Sequence, residues 1–334
     1  MKYTNKQITI VSINGDDNSG GVERVVFYLN KILSEKYKVK ILKRKFNLGA
    51  INKLFFPILF YFSLLFKKNN LIISNSSDSF LSNVDISIHH GTTTGFSQKA
   101  GIKLKKFALL SWMEKISAQK AKKIVAVSQN CKEELQYYYG IDQKKIIVLN
   151  NFVDESLFYP QFKKRSEKTI ILFSGRLEER KGLSNLLEFA KELENSNEYQ
   201  LKIACNSNKN IKMFSNLKNT QLFPGLDIIG MRNFYNSGDI LYFPTKYEGF
   251  SMATLEALAC GVPIIGTDFA IPKEIRHYDF VYLQTSTDPK ILLPIMTNFK
   301  NKFAYKSDYI HNTIIKDFGY NQYKEKLFNI IEVL

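Results

Sequence analysis

The chain reads as α/β, with two parallel-sheet units in tandem, each covered by helices on both faces. Three observations predict this. Short apolar runs of strand length alternate with longer segments of helical period, the pattern that builds parallel sheets with helical cover. The alternation stops in the polar, charged stretch Tyr159–Lys168, punctuated by Pro160, and then restarts. The length, 334 residues, suits two domains, and 45% hydrophobic with 23% charged residues is ordinary globular composition.

The elements follow in order. Ile8–Ile13 predicts a buried strand and Val22–Leu33 the helix after it. Leu71–Ser74 and Val84–Ile88 predict short strands, and Ile124–Ser128 and Ile146–Leu149 bracket a helix around Cys131–Tyr139. Past Pro160 come a strand at Thr169–Phe173, a helix over Leu183–Glu194 and a strand at Tyr199–Ala204. Asp239–Phe243, a helix over Ser251–Ala259 and Pro263–Ile265 complete the second unit. The last segment, Asn321–Val333, has helical period and is expected to pack back toward the first domain.

Two segments depart from the alternation. Leu54–Phe66, LFFPILFYFSLLF, is 13 residues long and apolar except for Ser63, with Lys43-Arg44-Lys45 before it and Lys67-Lys68 after it. A helix of that length spans roughly 20 Å against a hydrocarbon core of roughly 30 Å, so it does not cross a membrane. It reads equally as an interfacial helix or as a buried one. Lys99–Lys123 holds eight lysines and one acid, Glu114, with Leu104, Phe107, Leu110, Trp112 and Ile116 among them. Read as an amphipathic basic helix, it attracts anionic headgroups.

Charge sharpens that asymmetry. The net charge is +16; residues up to Pro160 carry 24 basic and 12 acidic residues, those after it 23 and 19. A basic first half suits anionic lipid, phosphorylated ligands or nucleic acid. Three widely spaced cysteines, Cys131, Cys205 and Cys260, argue for a reducing compartment and against a disulfide framework or zinc site. The opening MKYTNKQITIVSING carries too short an apolar core for a secretory leader. The expected location is cytoplasmic, at the inner face of the membrane.

The residues that carry chemistry centre on Tyr247–Pro263, YEGFSMATLEALACGVP. An apolar strand leads into a loop opening at Pro244, Glu248-Gly249 precede a helix starting near Ser251, and Gly261-Val262-Pro263 end it. Amides at such a helix start attract anionic or polyhydroxyl ligands. Glu248 and Glu256, eight residues apart, are expected about two turns apart on one helical side, one at the helix mouth and the other deeper, as acceptors for the hydroxyls of two sugar rings joined by a diphosphate.

EGFSMATLEALACGVP resembles the E-x7-E motif of the retaining glycosyltransferases of family 4, which have the GT-B fold: two Rossmann-like domains whose parallel sheets face a central cleft. Further matches run in order along nearly the whole chain. Ser19–Arg24 resembles the family's glycine loop, Ile88–Thr94 its histidine-bearing loop, and Val125–Ser128 with Asn150–Asp154 the end of its first domain. Gly175-Arg176-Leu177 followed by Lys181-Gly182 resembles its donor-phosphate motif. One departure is Ser251, where the family commonly has a second glycine.

The resemblance implies an N-terminal acceptor-binding domain (1–160), a C-terminal nucleotide-sugar-binding domain (161–315) and a closing helix (316–334). Arg176 and Lys181 would hold the donor diphosphate, with Gly20 and Gly21 closing over it. Glu256 would accept the ribose hydroxyls, and Glu248 those of the transferred sugar. The amides around Gly249, Phe250 and Ser251 would meet sugar or phosphate oxygens, and His90 would stand beside the transferred sugar. The implied reaction moves a sugar from a nucleoside diphosphate, UDP favoured and GDP possible, to a lipid-linked or envelope glycan hydroxyl with retention. No metal or cofactor is expected. The partners expected are the donor, the acceptor and an anionic inner-leaflet surface met through Leu54–Phe66 and Lys99–Lys123, with no nucleic acid. A nucleotide-sugar epimerase of the same fold is the nearest rival, but it needs no acceptor site, and the membrane-like first half speaks against it. A nucleic-acid-binding protein would explain the charge, yet no recognition-helix, zinc-finger or RNP-type motif is present.

Overall fold

Two six-stranded parallel sheets organise the chain, in the orders β2-β1-β3-β4-β5-β6 and β12-β11-β10-β7-β8-β9. The computed structural model describes residues 7–16, 20–44, 46, 51–65, 70–101, 103–162, 166–205 and 210–334. It divides into two compact units, Met1–Asn151 with Lys324–Leu334, and Phe152–Tyr323. Of the sequence expectations, Ser19, Lys45, Phe66, Lys67, Lys68 and the linker residues 163–165 lie outside the described residues.

In the first unit, β1 (Gln7–Val11) leads to α1 (Gly21–Leu33), which buries Val25, Val26, Leu29, Ile32 and Leu33 at the i, i+3, i+4 spacing of one helical face. β2 (Lys38–Leu42) pairs parallel to β1 at the sheet edge. α2 (Asn52–Leu65) and β3 (Asn70–Asn75) follow, then β4 (Ile86–His89), α3 (Thr93–Lys99) and α4 (Ala108–Lys120). β5 (Lys123–Ala126), α5 (Gln129–Tyr139) and β6 (Ile146–Val148) complete the sheet. Helix α5 is capped at both ends: the Cys131 amide donates to Ser128 Oγ at 3.0 Å, and Gly140 closes it in the left-handed region.

The second unit repeats the alternation. β7 (Thr169–Ser174) is buried at every residue, and α6 (Leu183–Glu192) packs Leu186, Phe189 and Ala190 into its core. β8 (Tyr199–Cys205), β9 (Thr220–Pro224), α7 (Ile228–Asn236), β10 (Ile240–Phe243) and α8 (Met252–Ala259) follow. β11 (Ile264–Gly266), β12 (Val281–Leu283), α9 (Pro289–Phe303) and α10 (Ser307–Phe318) end the unit. The last helix, α11 (Tyr320–Glu332), divides between the units at residue 323. Gly261 is a glycine for two reasons: φ is +75°, and a Cβ there would stand 2.6 Å from Ser307 Cα.

Three expectations need correction. The division falls after Asn151 rather than at Pro160, because Phe152 stacks on Tyr323 at 4.3 Å and the Val153 amide donates to the Phe318 carbonyl at 2.9 Å. The first unit also takes in residues 324–334, the direction expected of the closing helix, where Tyr37 meets Phe328 and Lys36 pairs with Glu332 at 3.2 Å. Lys99–Lys123 is not one basic helix: it runs from α3 through a 3-10 turn at Leu104–Phe107 and α4 into β5. Lys99 is tied to Glu134 and Lys122 to Asp85, so the lysines are spread over several elements. Finally, α2 is neither wholly buried nor wholly exposed. Phe56, Phe60 and Leu64, four residues apart, face the core, while Leu54, Ile58, Leu59, Phe62 and Leu65 are exposed.

Candidate functional site

Parallel α/β sheets bind ligands beyond the carboxyl ends of their strands, at the point where strand order reverses. In the second unit that point lies between β7 and β10. The turn after β7 is Gly175-Arg176-Leu177, with the Gly175 amide bonded to the Ala204 carbonyl at 3.0 Å and Leu177 buried in the core. Leu177 thus anchors a turn whose charged residues point outward. A short 3-10 turn, Glu179–Lys181, and Gly182 then deliver the chain into α6.

Three cations and two carboxylates interlock there. Lys181 Nζ contacts Glu248 Oε1, and Arg180 Nη1 reaches the same oxygen at 3.3 Å. Arg180 also donates from Nη1 to the Tyr247 carbonyl at 3.2 Å and from Nε to Glu178 Oε1 at 3.3 Å. Arg176 pairs with Glu178 at 3.3 Å and is otherwise largely solvent-facing, its side chain 60% exposed. The Lys246 amide donates to the Arg180 carbonyl at 2.9 Å, joining the turn after β7 to the loop after β10. With one positive charge in excess, this cluster is built to receive an anion.

Glu248 precedes the helix that carries Glu256, as expected. α8 begins at Met252 with Ser251 as its cap, Ser251 Oγ accepting from the Thr254 amide at 3.4 Å. Glu248 lies in the loop, so helical spacing does not align it with Glu256; the cations of the neighbouring turn position it instead. Gly249 lies between Glu248 and Phe250, which is buried against the Phe318 ring at 5.7 Å.

Glu256 stands within α8, 4% exposed. Tyr235 of α7 donates its hydroxyl to Glu256 Oε2 at 3.1 Å and lies 3.2 Å from Ser174 Oγ at the end of β7. Burial, reinforced by the Glu256 charge, pushes the Tyr235 phenol well up, so it remains a proton donor to that carboxylate.

In the first unit, strand order reverses between β1 and β3. Gly20 caps α1 in an extended conformation, and a Cβ on Gly21 would meet nothing within 4 Å, so the space beside Gly21 is open. His90 follows β4, its Nε2 3.3 Å from Asn75 Oδ1. Burial pulls the His90 pKa down to about 4, which makes the ring neutral at physiological pH. His89 is fully buried on the other strand face, 3.0 Å from Ser87 Oγ, and burial with the neighbouring His90 lowers it to about 3.

Two buried carboxylates clamp the threonines after His90. Glu134 Oε2 accepts from the Thr92 amide at 3.2 Å and hydroxyl at 2.9 Å. Glu114 accepts from the Thr93 amide at 2.8 Å, the Thr93 hydroxyl at 2.7 Å and Tyr139 at 2.7 Å. Arg180, Tyr235, Asn75, Glu114 and Glu134 are not singled out by sequence reasoning. Only Glu114, a lone acid among eight lysines, carries a signal. Among the described residues no group of three or more His, Cys, Asp or Glu could hold a metal, and no helix is long and apolar enough to cross a membrane.

Comparison with known proteins adds three findings. Residues 19–157 match the family described as Glycosyltransferase Family 4, and residues 155–288 the one described as Glycosyl transferases group 1. The O-antigen chain mannosyltransferase RfbU of Salmonella typhimurium is 25% identical over 176 residues, 51% of this chain and 48% of that protein. The chain spans about half the length of the curated relatives it matches. In fold it is similar to sucrose-phosphate synthase from Thermosynechococcus elongatus (TM-score 0.76, 15% identity, 98% of each chain). It is also similar to Anabaena Alr3699/HepE, crystallised with UDP and glucose (TM-score 0.73, 12% identity, 98% and 99% covered).

Proposed function

Because the chain belongs to the GT-B glycosyltransferases, family 4 in its first half and group 1 in its second, we propose that it transfers a sugar from a nucleoside diphosphate to an acceptor hydroxyl with retention of configuration. The carrying observation is the cluster of Arg176, Arg180 and Lys181 with Glu178 and Glu248 at the switch point of the second sheet. The donor is a UDP-sugar in preference to a GDP-sugar, in line with the UDP bound by the fold neighbour HepE. The acceptor is a lipid-linked or envelope glycan, in line with the O-antigen chemistry named for RfbU.

In this reading Lys181 and Arg176 stabilise the charge that grows on the diphosphate as the glycosidic bond breaks, and no metal ion is assigned that task. Attack comes from the face the leaving group departs from, and the departing phosphate oxygen takes the acceptor proton. Glu248 receives hydroxyls of the transferred sugar, Glu256 those of the ribose, and neutral His90 is assigned a hydrogen bond to the sugar. Gly20 and Gly21 leave room for phosphate oxygens, and the backbone at Gly249, Phe250 and Ser251 is assigned to sugar or phosphate oxygens.

The reading also places the enzyme at the inner face of an anionic membrane, through the exposed side of α2. Leu54, Ile58, Leu59, Phe62 and Leu65 form an apolar face on a unit whose sequence is strongly basic, a combination that suits shallow insertion among anionic headgroups.

Thermal shift with UDP, GDP, ADP and CMP, on wild type and Glu256→Ala, tests the donor assignment. A nucleotide at 100 times its Kd stabilises by about 2.7 kcal/mol. Stabilisation of wild type by UDP, and much less of the variant, is the expected result; no shift with any nucleotide overturns the reading. Product anomeric configuration by NMR and activity in EDTA test retention and metal independence.

A further inference from the structure

We propose that Arg180, to which the family resemblance gives no role, is a positioning residue: it holds Glu248 while Lys181 turns to the donor diphosphate. The proposal rests on the donor reading above and deepens it. Glu248 Oε1 is shared by Lys181 Nζ and Arg180 Nη1, whereas no hydrogen bond from the described residues reaches Oε2. One oxygen is thus held by cations and the other is presented for a ligand hydroxyl.

The two cations differ in how they are held. Lys181 is a point charge on a flexible four-carbon stem, and Glu248 is its carboxylate partner. Its stem lies over the turn after β7, where a Cβ on Gly175 would stand 3.7 Å from Lys181 Cδ. Arg180 is fixed three ways, to Glu178 Oε1, to the Tyr247 carbonyl and to Glu248, and its side chain is 22% exposed. A planar guanidinium moves as a unit, so leaving Glu248 would break the other two contacts as well.

Before a donor arrives, Glu248 neutralises Lys181. A diphosphate at the same turn competes for the lysine, and Lys181 exchanges one anion for another. That exchange would strand Glu248, whose side chain is only 15% exposed, as an unpaired carboxylate, a costly state in a partly buried site. Arg180 removes the difficulty: it stays on Oε1, keeps the carboxylate compensated, and keeps Oε2 turned toward the sugar. Its task is to orient Glu248, whereas Lys181 binds phosphate.

The test compares Arg180→Met, Arg180→Lys and Lys181→Met by isothermal binding of UDP and GDP, and of UDP-glucose and GDP-mannose as sugar-bearing counterparts. For Arg180→Met, nucleotide affinity stays within about 3-fold of wild type while the extra affinity contributed by the sugar is lost. Arg180→Lys restores part of that increment. Lys181→Met weakens the bare nucleotide by about 10-fold or more. In a Glu248→Gln background Arg180→Met has little further effect, because a neutral amide needs no compensating cation; a residue that merely supported the fold would act equally in both backgrounds. Arg180→Met as damaging to bare UDP as Lys181→Met makes Arg180 a phosphate ligand and overturns the proposal alone. An equal loss in the Glu248→Gln background also overturns it. Wild type that binds none of the four ligands overturns the donor reading and this proposal with it.

Discussion

Gly182 joins the cation turn to α6, and its replacement by alanine tests whether the close approach of two loops sets up the site. The residue sits at φ +81°, ψ 34°, and a Cβ there would lie 2.3 Å from the Pro244 carbonyl oxygen and 2.9 Å from its carbon. The left-handed conformation costs an alanine about 1 kcal/mol. Forcing the Pro244 backbone away adds about 2 kcal/mol, as overpacking of a filled site does. For a unit of this size the total, about 3 kcal/mol, lowers Tm by about 6–12 °C. Gly225→Ala is the control: φ is +65°, but nothing lies within 4 Å of its Cβ, so only the conformational part remains. Calorimetry of both variants, with UDP titration of each, reads the result. Gly182→Ala should lose nucleotide affinity as well, because Pro244 opens the loop that carries Glu248. Equal Tm values for the two variants, or undiminished UDP binding by Gly182→Ala, would refute the reasoning.

The two faces of α2 should respond differently. Phe60→Ala, at a buried position, costs about 3–5 kcal/mol in urea unfolding, whereas Phe62→Ser changes stability by under about 0.5 kcal/mol and lowers co-sedimentation with phosphatidylglycerol-containing vesicles. Acid should weaken the first unit through its histidines: both have folded pKa values below the unfolded 6.5, about 3 for His89 and about 4 for His90, so the stability they confer is complete above pH 6.5 and is lost as pH falls toward those values. Unfolding free energies between pH 7 and 4 should fall less steeply in His90→Gln than in wild type. Glu134→Gln removes the charge that pairs with Lys99 at 2.8 Å and weakens the clamp on Thr92, at about 1.5–3 kcal/mol; hydrogen exchange at the amides of Thr92–Gly95 should accelerate selectively.

Much of the fold follows from hydrophobic pattern alone. The central strands, such as β7 and β10, are buried at every residue and read as continuous apolar runs. The edge strands β2, β9 and β12 escape this reading because one face meets solvent; KVKIL is largely open along its length and carries no apolar run. Helices α7, α9 and α10 are absent from the sequence reading although each buries apolar residues, Phe234 and Tyr235, Leu292 and Met296, and Ile310 and Ile314.

For the candidate site, the order of motifs along the chain singles out Arg176, Lys181, Glu248 and Glu256 as candidates without any coordinates. What the sequence by itself determines is therefore which residue types follow which strand, since the ends of parallel strands are where α/β sheets place ligands. Which carboxylate meets which cation is a different matter. The pair Lys181–Glu248 joins turns 67 residues apart, brought together where strand order reverses between β7 and β10, and Tyr235–Glu256 joins the helices on either side of β10. Local spacing puts Glu248 at the mouth of the helix that carries Glu256; only the fold shows that Arg180 and Lys181 hold it there. Interactions that depend on two crossovers packing side by side have no periodicity along the sequence, and only the tertiary structure decides them.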